Sequence, residues 1–300
     1  MSIILNWKQQ PGQTLDSIEI YRYDAPRQSV NPVSPGEPIA TLPGNTTTYE
    51  DKSTEAYKTY QYRIVAVKGK EKVMGLPIVQ GDFPMTGPGP QELIRGDWWR
   101  GYFGTLTNEE FIFSYVEMNG LIGFYAWSNS PKLFHKFVYK GRILFIPDTY
   151  TRSGTSWNEQ YTQGLAWGTD DFGSAPAGIT NTNQRKTFNK DGYEYVLRLP
   201  RLADYNYVHS SYFNGSSYLL EGEWHNTFAS LFRYSGVVRR LGDLPTRTGT
   251  AHADVTSTLF ANGYTNNSPW YYRAGAPDSP SWTSQSNGAT VFHVIELVLS

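Results

Sequence analysis

The sequence predicts a multidomain, β-rich protein in which an N-terminal all-β sandwich precedes a larger α+β domain with an antiparallel sheet. Three observations indicate this class. The first 82 residues alternate apolar and polar side chains in short runs separated by turn residues. A segment dense in proline and glycine follows, which is typical of a domain boundary. The remainder combines two helix-start patterns with several strand-like runs. We therefore expect a sandwich over residues 1–82, a linker over 83–96 and a second domain over 97–300.

Composition excludes several classes of function. Hydrophobic residues make up 39% of the chain and aromatic residues 15%, so its cores depend on tyrosine, phenylalanine and tryptophan. The 26 basic and 27 acidic residues give a net charge of −1 and form no long basic run, which argues against a nucleic-acid partner. The lack of cysteine excludes disulfides, thiolate metal sites and cysteine nucleophiles. No apolar stretch approaches the roughly 20 residues of a membrane helix, and no basic signal-peptide start is present, so we expect synthesis in a cytoplasm and no membrane partner.

The N-terminal domain is predicted from period-2 alternation, which marks strands with one buried face. Trp7, Tyr60 and Tyr62 are expected to fill its core because large aromatic residues on the apolar face of a strand are usually buried. The predicted strands cover residues 3–7, 17–23, 39–42, 47–51, 59–67 and 73–74.

The order of these features resembles the fibronectin type III family. Tyr60 stands at the position of the family's corner tyrosine, and the resemblance covers roughly the first 80 residues. It implies a spacing or docking module. Met1 falls where the family's second strand begins, so we expect an open edge on strand 3–7. This edge pairs with a strand of a partner protein, or with the linker or the larger domain of its own chain. The matching segments are Leu5-Asn6-Trp7, Ile20-Tyr21-Arg22, Thr48-Tyr49-Glu50-Asp51 and residues 60–67.

The larger domain contains two capping-box patterns, in residues 107–110 and 156–159, each followed by apolar residues at helical spacing. Gly120 is expected to end the first helix, and Gly168 follows the second. The remaining runs predict an antiparallel sheet. Its predicted strands cover residues 133–139, 142–146, 193–199 and 290–299.

Four motifs of this domain follow one another along the chain: a Ser-Trp-Asn helix start at 156–158, a Gly-Thr-Asp-Asp loop at 168–171, an Arg-Leu strand at 198–199 and a Glu-Trp helix start at 223–224. The segments that contain them are similar, in the same order, to segments of bacteriophage virion structural proteins of the collar, tail and fibre type. The resemblance covers about 100 residues and implies a structural role in a particle. Spaced tryptophan and Arg-Gly elements in the late part of that family look distantly similar to the C-type-lectin-like fold. One segment departs from the family pattern, because His225 is inserted into its Glu-Trp-Asn helix start. The similar segments are 137–147, 155–159, 164–171, 195–200 and 222–226.

Four carboxylates are candidates for the two-carboxylate pair of a glycosidase. Nothing in the sequence brings any two of them together, and Asp171 is explained more simply by a turn in which it binds its own backbone. We therefore expect no enzymatic activity and no catalytic residue. The four candidates are Asp170, Asp171, Asp204 and Glu223.

Metal and cofactor sites are not predicted. The five histidines lack the spacing of metal ligands, and His135 and His293 lie in strand-like runs where a hydrogen-bonded core histidine is expected. The segment 87–90 has prolines where a phosphate-binding loop needs N–H donors. The other histidines are His209, His225 and His252.

Aromatic clusters lie among glycine, asparagine and serine, notably in the polar stretch 248–287. They fill a core, or they form an exposed surface for a glycan or a neighbouring subunit. The candidate interface residues are Ile3, Leu5, Trp98, Trp99, Trp270, Tyr271, Tyr272 and Trp282.

Two functions remain open from the sequence. The first is a structural protein of a bacteriophage virion, such as a collar, tail, fibre or decoration protein. It would dock to other virion proteins as a homo-oligomer within the particle. The second is a carbohydrate-binding or glycan-cleaving host-receptor protein, whose partner is a host surface glycan and whose role is host attachment.

Overall fold

The computed structural model describes residues 2–9, 11–173, 175–202, 222–231, 259–264, 268–272, 280–282 and 288–299, of which several late strands are described by their backbone alone. The chain divides into two units. One consists of Met1–Thr86 with Asp97–Trp99, and the other of Gly87–Gly96 with Arg100–Ser300. The division therefore falls inside the segment 83–96 that the sequence indicates as a linker, and Asp97–Trp99 belong with the first unit.

The first unit is an all-antiparallel β structure. One sheet pairs β1 with β4, and the second has the order β3-β2-β5-β6, with β7 also pairing with β5. Six of the strands overlap the predicted ones. β7 escaped prediction because only Ile78 and Val79 are apolar in a short run that follows Pro77. The strands are β1 (Ile3–Asn6), β2 (Ser17–Tyr23), β3 (Ala40–Pro43), β4 (Thr48–Asp51), β5 (Lys58–Lys68), β6 (Glu71–Met74) and β7 (Ile78–Asp82).

The core of this unit follows the predicted alternation. Ile3 and Leu5 are buried on the inner face of β1, and Tyr60 and Tyr62 are fully buried on β5. Trp7 differs from the prediction: it lies just after the end of β1 and is only half-buried at the margin of this core. Because β1 ends at Asn6, Trp7 packs against the margin of the core rather than in its centre.

Hydrogen bonds fix the tyrosines of β5. The Tyr60 hydroxyl accepts from the backbone N–H of Glu55 at 2.9 Å. The Tyr62 hydroxyl donates to the buried carboxylate of Asp51 at 2.8 Å. This carboxylate also forms an ion pair with Arg22 at 2.9 Å. Although burial opposes it, these hydrogen bonds and those from Ser53 hold the pKa of Asp51 below its usual value.

The second unit is built on a seven-stranded antiparallel sheet of order β13-β14-β19-β11-β10-β9-β8. Its strands are β8 (Arg95–Gly96), β9 (Arg100–Thr107), β10 (Leu133–Tyr139), β11 (Arg142–Pro147), β13 (Thr187–Lys190), β14 (Tyr193–Arg198) and β19 (Val294–Leu297). Two smaller sheets join β12 (Arg152–Thr155) with β18 (Ala289–Val291), and β15 (Leu259–Tyr264) with β16 (Ser268–Tyr272) and β17 (Pro280–Trp282). The helices are α1 (Tyr115–Ile122), α2 (Trp157–Thr162), α3 (Glu223–Asn226) and a 3-10 turn at Phe228–Leu231.

The prediction of a β-rich multidomain chain with antiparallel sheets is confirmed at that level. One predicted strand is wrong in detail. Residues 290–299 were expected to form one strand, but they contribute to β18 and β19, which belong to different sheets. The strand is interrupted at Phe292 and His293, whose side chains are both fully buried. None of the described helices has the length and hydropathy that a membrane crossing requires.

The two capping-box predictions have different outcomes. Ser156 and Glu159 form the predicted box at the start of α2, where the Glu159 N–H donates to the Ser156 hydroxyl and the Ser156 N–H donates back at 2.7 Å. Thr107 and Glu110 make the same reciprocal hydrogen bonds, but they close a turn at the end of β9.

The first predicted helix is therefore displaced along the chain. Phe111 was expected on its apolar face, but it is drawn into the core, where its ring lies 4.8 Å from that of Phe145. The helix α1 begins only after Ser114, whose hydroxyl accepts from the Glu117 N–H. Gly120 lies inside it, and Gly123 ends it with φ +81°.

Candidate functional site

A buried arginine lies at the end of β14. The Arg198 guanidinium is completely buried and forms a two-pronged ion pair with Glu223, with N···O distances of 2.8 and 2.6 Å. Its Nε also donates to Glu296 Oε2 at 2.8 Å, and Nη1 donates to the Leu199 carbonyl at 3.1 Å. Bidentate pairing of this kind holds both partners in one geometry.

The fold places these charges together from distant parts of the chain. In the sheet, Val196 of β14 pairs with Glu296 of β19, and Arg198 lies two residues further along β14. Arg198 and Glu296 therefore share one face of the sheet. Glu223 is the first residue of α3, and the Arg201 N–H donates to it at 3.2 Å.

The cluster keeps its carboxylates ionised. Burial alone would raise the pKa of Glu223, but the charge and hydrogen bonds of Arg198 outweigh it and hold the pKa at about 2. The pKa of Glu296 is likewise lowered despite burial, chiefly by Arg198. Burial and the neighbouring charge of Arg198 lower the pKa of Arg201 to about 9. A glycosidase acid needs a raised pKa, so neither glutamate suits proton donation.

Gly168 makes room for the buried arginine. A Cβ at this position would lie 2.3 Å from Cδ of Arg198, and the residue has φ +71°. The sequence predicts Gly168 as the residue that follows the second helix, whereas α2 ends at Thr162. The glycine is required instead by a close approach from a strand 30 residues away, which local sequence does not reveal.

A cleft of about 310 Å³ opens beside this cluster. Glu296 connects the two, because its Oε2 is bound by Arg198 while its Oε1 lies 3.6 Å from Nε of Arg142 in the cleft wall. The aliphatic side of the cleft is formed by Val196, Leu297 and Leu299. Its charged lining residues are Arg142, Asp170, Arg185 and Glu296.

The carboxylates considered for catalysis have different environments and different structural roles. Asp171 forms the predicted turn, since its Oδ1 accepts from the Gly173 N–H at 2.9 Å. Asp170 lines the cleft and accepts from the Asn183 amide at 2.8 Å. Glu223 is buried in the ion pair, and Asp204 lies outside the described residues.

The predicted core histidines are hydrogen-bonded. Tyr102 Oη lies 2.9 Å from Nδ1 of His135. His293 lies between Thr151 Oγ1 and Gln160 Oε1, each at 2.7 Å. Because an amide oxygen only accepts, Nε2 of His293 carries the proton. His225 is buried beside Trp224, and no three His, Asp or Glu residues of the described part of the chain are grouped as metal ligands; His209 and His252 lie outside that part.

The stability of the second unit is expected to depend on pH through His293. Burial lowers its pKa to about 3, and the charge of Arg152 acts in the same direction. The unfolded chain takes up this proton below about pH 6.5, whereas the folded chain does not until about pH 3. As the pH is lowered below about 6.5, the free energy of unfolding should therefore decrease, by about 1.4 kcal/mol per pH unit for this group.

Denaturant titrations of the wild type and of His293→Gln between pH 8 and pH 5 measure this effect. Below pH 6, the plot of unfolding free energy against pH should be less steep for the variant, by the equivalent of about one proton. Above pH 7.5, the two plots should run parallel. Equal slopes over the whole range would contradict the assignment.

Lys136 is a buried cation that sequence analysis did not single out. Its ammonium donates to the carbonyls of Gly87, Pro88 and Pro90 at 3.4, 2.9 and 2.7 Å, and it lies 5.0 Å from the centre of the Phe103 ring. Burial lowers its pKa to about 7. The proline-rich segment was judged unable to bind phosphate because it lacks donors, and its carbonyls serve here as acceptors.

The candidate interface residues of the first unit are only partly accessible. Ile3 and Leu5 are 5% and 2% exposed, so their side chains are not available to a partner. β1 pairs with β4 along one edge, and among the described residues no strand pairs with its other edge. Trp98 is half-buried and stacks on Phe83 at 5.1 Å, and Trp99 is also half-buried.

The remaining interface candidates lie in the second unit. The backbone of β16 carries three of them, and the fourth lies on β17, where the register pairs Trp270 with Trp282. The side chains of these residues are outside the described part of the structure, as is most of the stretch 248–287. The three on β16 are Trp270, Tyr271 and Tyr272.

Comparison with family models, curated proteins and solved structures finds no match for this chain. Its function is therefore inferred from its residues and their contacts.

Proposed function

We propose that this chain is a non-enzymatic structural component of a bacteriophage particle, a collar, tail or head appendage that docks to other virion proteins as a homo-oligomer. The observation that carries the proposal is spatial. Of the segments by which the second unit resembles virion proteins, 164–171, 195–200 and 222–226 meet around the Arg198–Glu223 pair, and 155–159 packs against the first of these. These segments therefore form part of the buried interior of the unit.

The contacts among these segments are direct. The strand segment 195–200 contains Arg198, and the helix-start segment 222–226 contains Glu223. The loop segment 164–171 passes against Arg198 at Gly168. Arg201 donates to the Trp167 carbonyl of that loop at 2.9 Å, and Trp167 packs edge-on against Trp157 of the segment 155–159 at 6.1 Å. These buried contacts link the four segments to one another, as expected of a structural role.

The first unit supports the same proposal. The strand order of its two sheets, β1-β4 and β3-β2-β5 with β6 and β7, supports a fibronectin type III-like sandwich. The hydrogen bond from the Glu55 backbone to Tyr60 is the contact expected of a corner tyrosine. We propose a fibronectin type III-like identity for this unit and a C-type-lectin-like one for the second.

The test is made on purified particles of the phage that encodes the chain. The chain should sediment with assembled particles through a density gradient, in a copy number that is a multiple of a particle symmetry. A replication protein of the same phage provides the control, because it should remain in the soluble fraction. Recovery of the chain only in that fraction would overturn the proposal.

A second candidate function is carbohydrate binding on the host surface, which the cleft of the second unit favours. The cleft combines charged groups with an aliphatic wall, a combination that suits a hydroxylated ligand. Glycan cleavage is not favoured, because Glu223 and Glu296 are held ionised by Arg198. Purified protein should therefore release no reducing sugar from host polysaccharide.

A further inference from the structure

We propose that the cleft beside the Arg198 cluster binds a sugar acid, with Arg142 and Arg185 binding its carboxylate. The inference rests on the carbohydrate-binding candidate and is independent of the chain's place in a particle. It names one class of ligand, a saccharide that carries a single carboxylate. Charge, donor geometry and shape each support this class.

Within the described residues, the cleft lining carries two arginines and two carboxylates. The buried groups behind it, two arginines and one carboxylate, add one positive charge. A ligand with one negative charge would neutralise this excess. The arginines are Arg142, Arg185, Arg198 and Arg201, and the carboxylates are Asp170, Glu223 and Glu296.

The two arginines of the cleft have donors to spare. Within the described residues, the exposed side chain of Arg185 makes no hydrogen bond or ion pair, and that of Arg142 makes only the 3.6 Å contact with Glu296. This distance is longer than a hydrogen bond. A guanidinium presents a planar fork of N–H donors that matches a carboxylate. Both side chains are therefore able to bind one.

The other lining groups suit hydroxyls and a sugar ring. Asp170 uses only Oδ1 within the described residues, and Glu296 Oε1 lies within 4 Å of the Arg142 guanidinium alone, so each carboxylate has an oxygen that can accept from a hydroxyl. The same two negative charges repel a doubly charged phosphate more strongly than a singly charged carboxylate. The aliphatic wall offers contact to the C–H face of a pyranose ring, and the volume of about 310 Å³ is at the small end of ligand sites.

Ligand titrations of the full chain test the inference. The probes are D-glucuronate and N-acetylneuraminate, with D-glucose as the neutral analogue and a triglutamate peptide as the protein-like acid. Saturation-transfer NMR detects binding, and calorimetry at low ionic strength measures Kd. At least one sugar acid should bind, and glucose and the peptide should bind at least tenfold more weakly.

Variants locate the site. Arg185→Gln should weaken sugar-acid binding at least tenfold while the near-UV circular dichroism stays unchanged, because the side chain is exposed and has no partner to lose among the described residues. Arg95→Gln removes an exposed arginine of the same unit outside the cleft and should leave Kd unchanged. Weaker binding by Arg142→Gln would support the same site.

Several outcomes would overturn the inference: no binding of either sugar acid, equal binding of glucose, or an Arg185→Gln variant with wild-type Kd. Tighter binding of the triglutamate peptide would assign the cleft to a protein partner instead. None of these outcomes changes the expected recovery of the chain in purified particles, so failure of this inference is distinguishable from failure of the structural role.

Discussion

Replacing Arg198 by methionine should lower the free energy of unfolding of the second unit by about 3–5 kcal/mol. The guanidinium is fully buried, and its removal leaves Glu223 buried and charged without its bidentate partner. The remaining charge must be desolvated or protonated, and both cost free energy. Denaturant unfolding followed by near-UV circular dichroism measures the change.

Two further variants separate the ion pair from simple packing loss. Arg185→Met removes an exposed arginine from the adjacent cleft and should change stability by at most about 0.5 kcal/mol. The double variant Arg198→Met with Glu223→Gln should recover part of the loss, because its glutamine carries no charge to be stranded. A loss below about 1 kcal/mol for Arg198→Met would show that the pair does not hold the unit together.

Gly168→Ala should destabilise the second unit by about 2–5 kcal/mol. Two costs combine: a positive φ costs a residue with a Cβ about 1–2 kcal/mol, and a clash in a packed site costs about 1–3 kcal/mol. The added Cβ would lie 2.3 Å from Cδ of Arg198, whose side chain is already fixed by two carboxylates. Thermal and denaturant unfolding measure the loss.

Gly141→Ala provides the matched control. Gly141 has φ +79° in the turn between β10 and β11, and a Cβ there meets nothing within 4 Å. This variant should show only the backbone cost of about 1–2 kcal/mol. Equal losses in the two variants would mean that Arg198 moves aside without cost, contrary to its fixed position in the ion pair.

Elements that depend on local chemistry were predictable from the sequence. The bounds of β10 are those predicted, and the Ser156 box opens α2 as expected. The turn at Asp171 also follows the prediction. In each case the interactions that decide the structure join residues within a few positions of one another, so a short window of sequence contains them.

Elements decided by distant contacts were not predictable in the same way. The hydrogen bonds of Thr107 and Glu110 are equally compatible with a turn and a helix, and the burial of Phe111 selects the turn. The ion pair joins Arg198 to Glu223 and Glu296, residues 25 and 98 positions away. Glu223 was considered as a candidate acid because its sequence neighbours contain no sign of its partner.

The contacts of Lys136 have a consequence for the ionic sensitivity of the protein. Backbone carbonyl oxygens are common ligands of hard cations such as calcium. Here the carbonyls of Gly87, Pro88 and Pro90 surround an ammonium group that is covalently part of the chain. The start of the second unit thus holds a cation that a chelator cannot remove but that loses its charge as the pH rises above about 7, the pKa of Lys136.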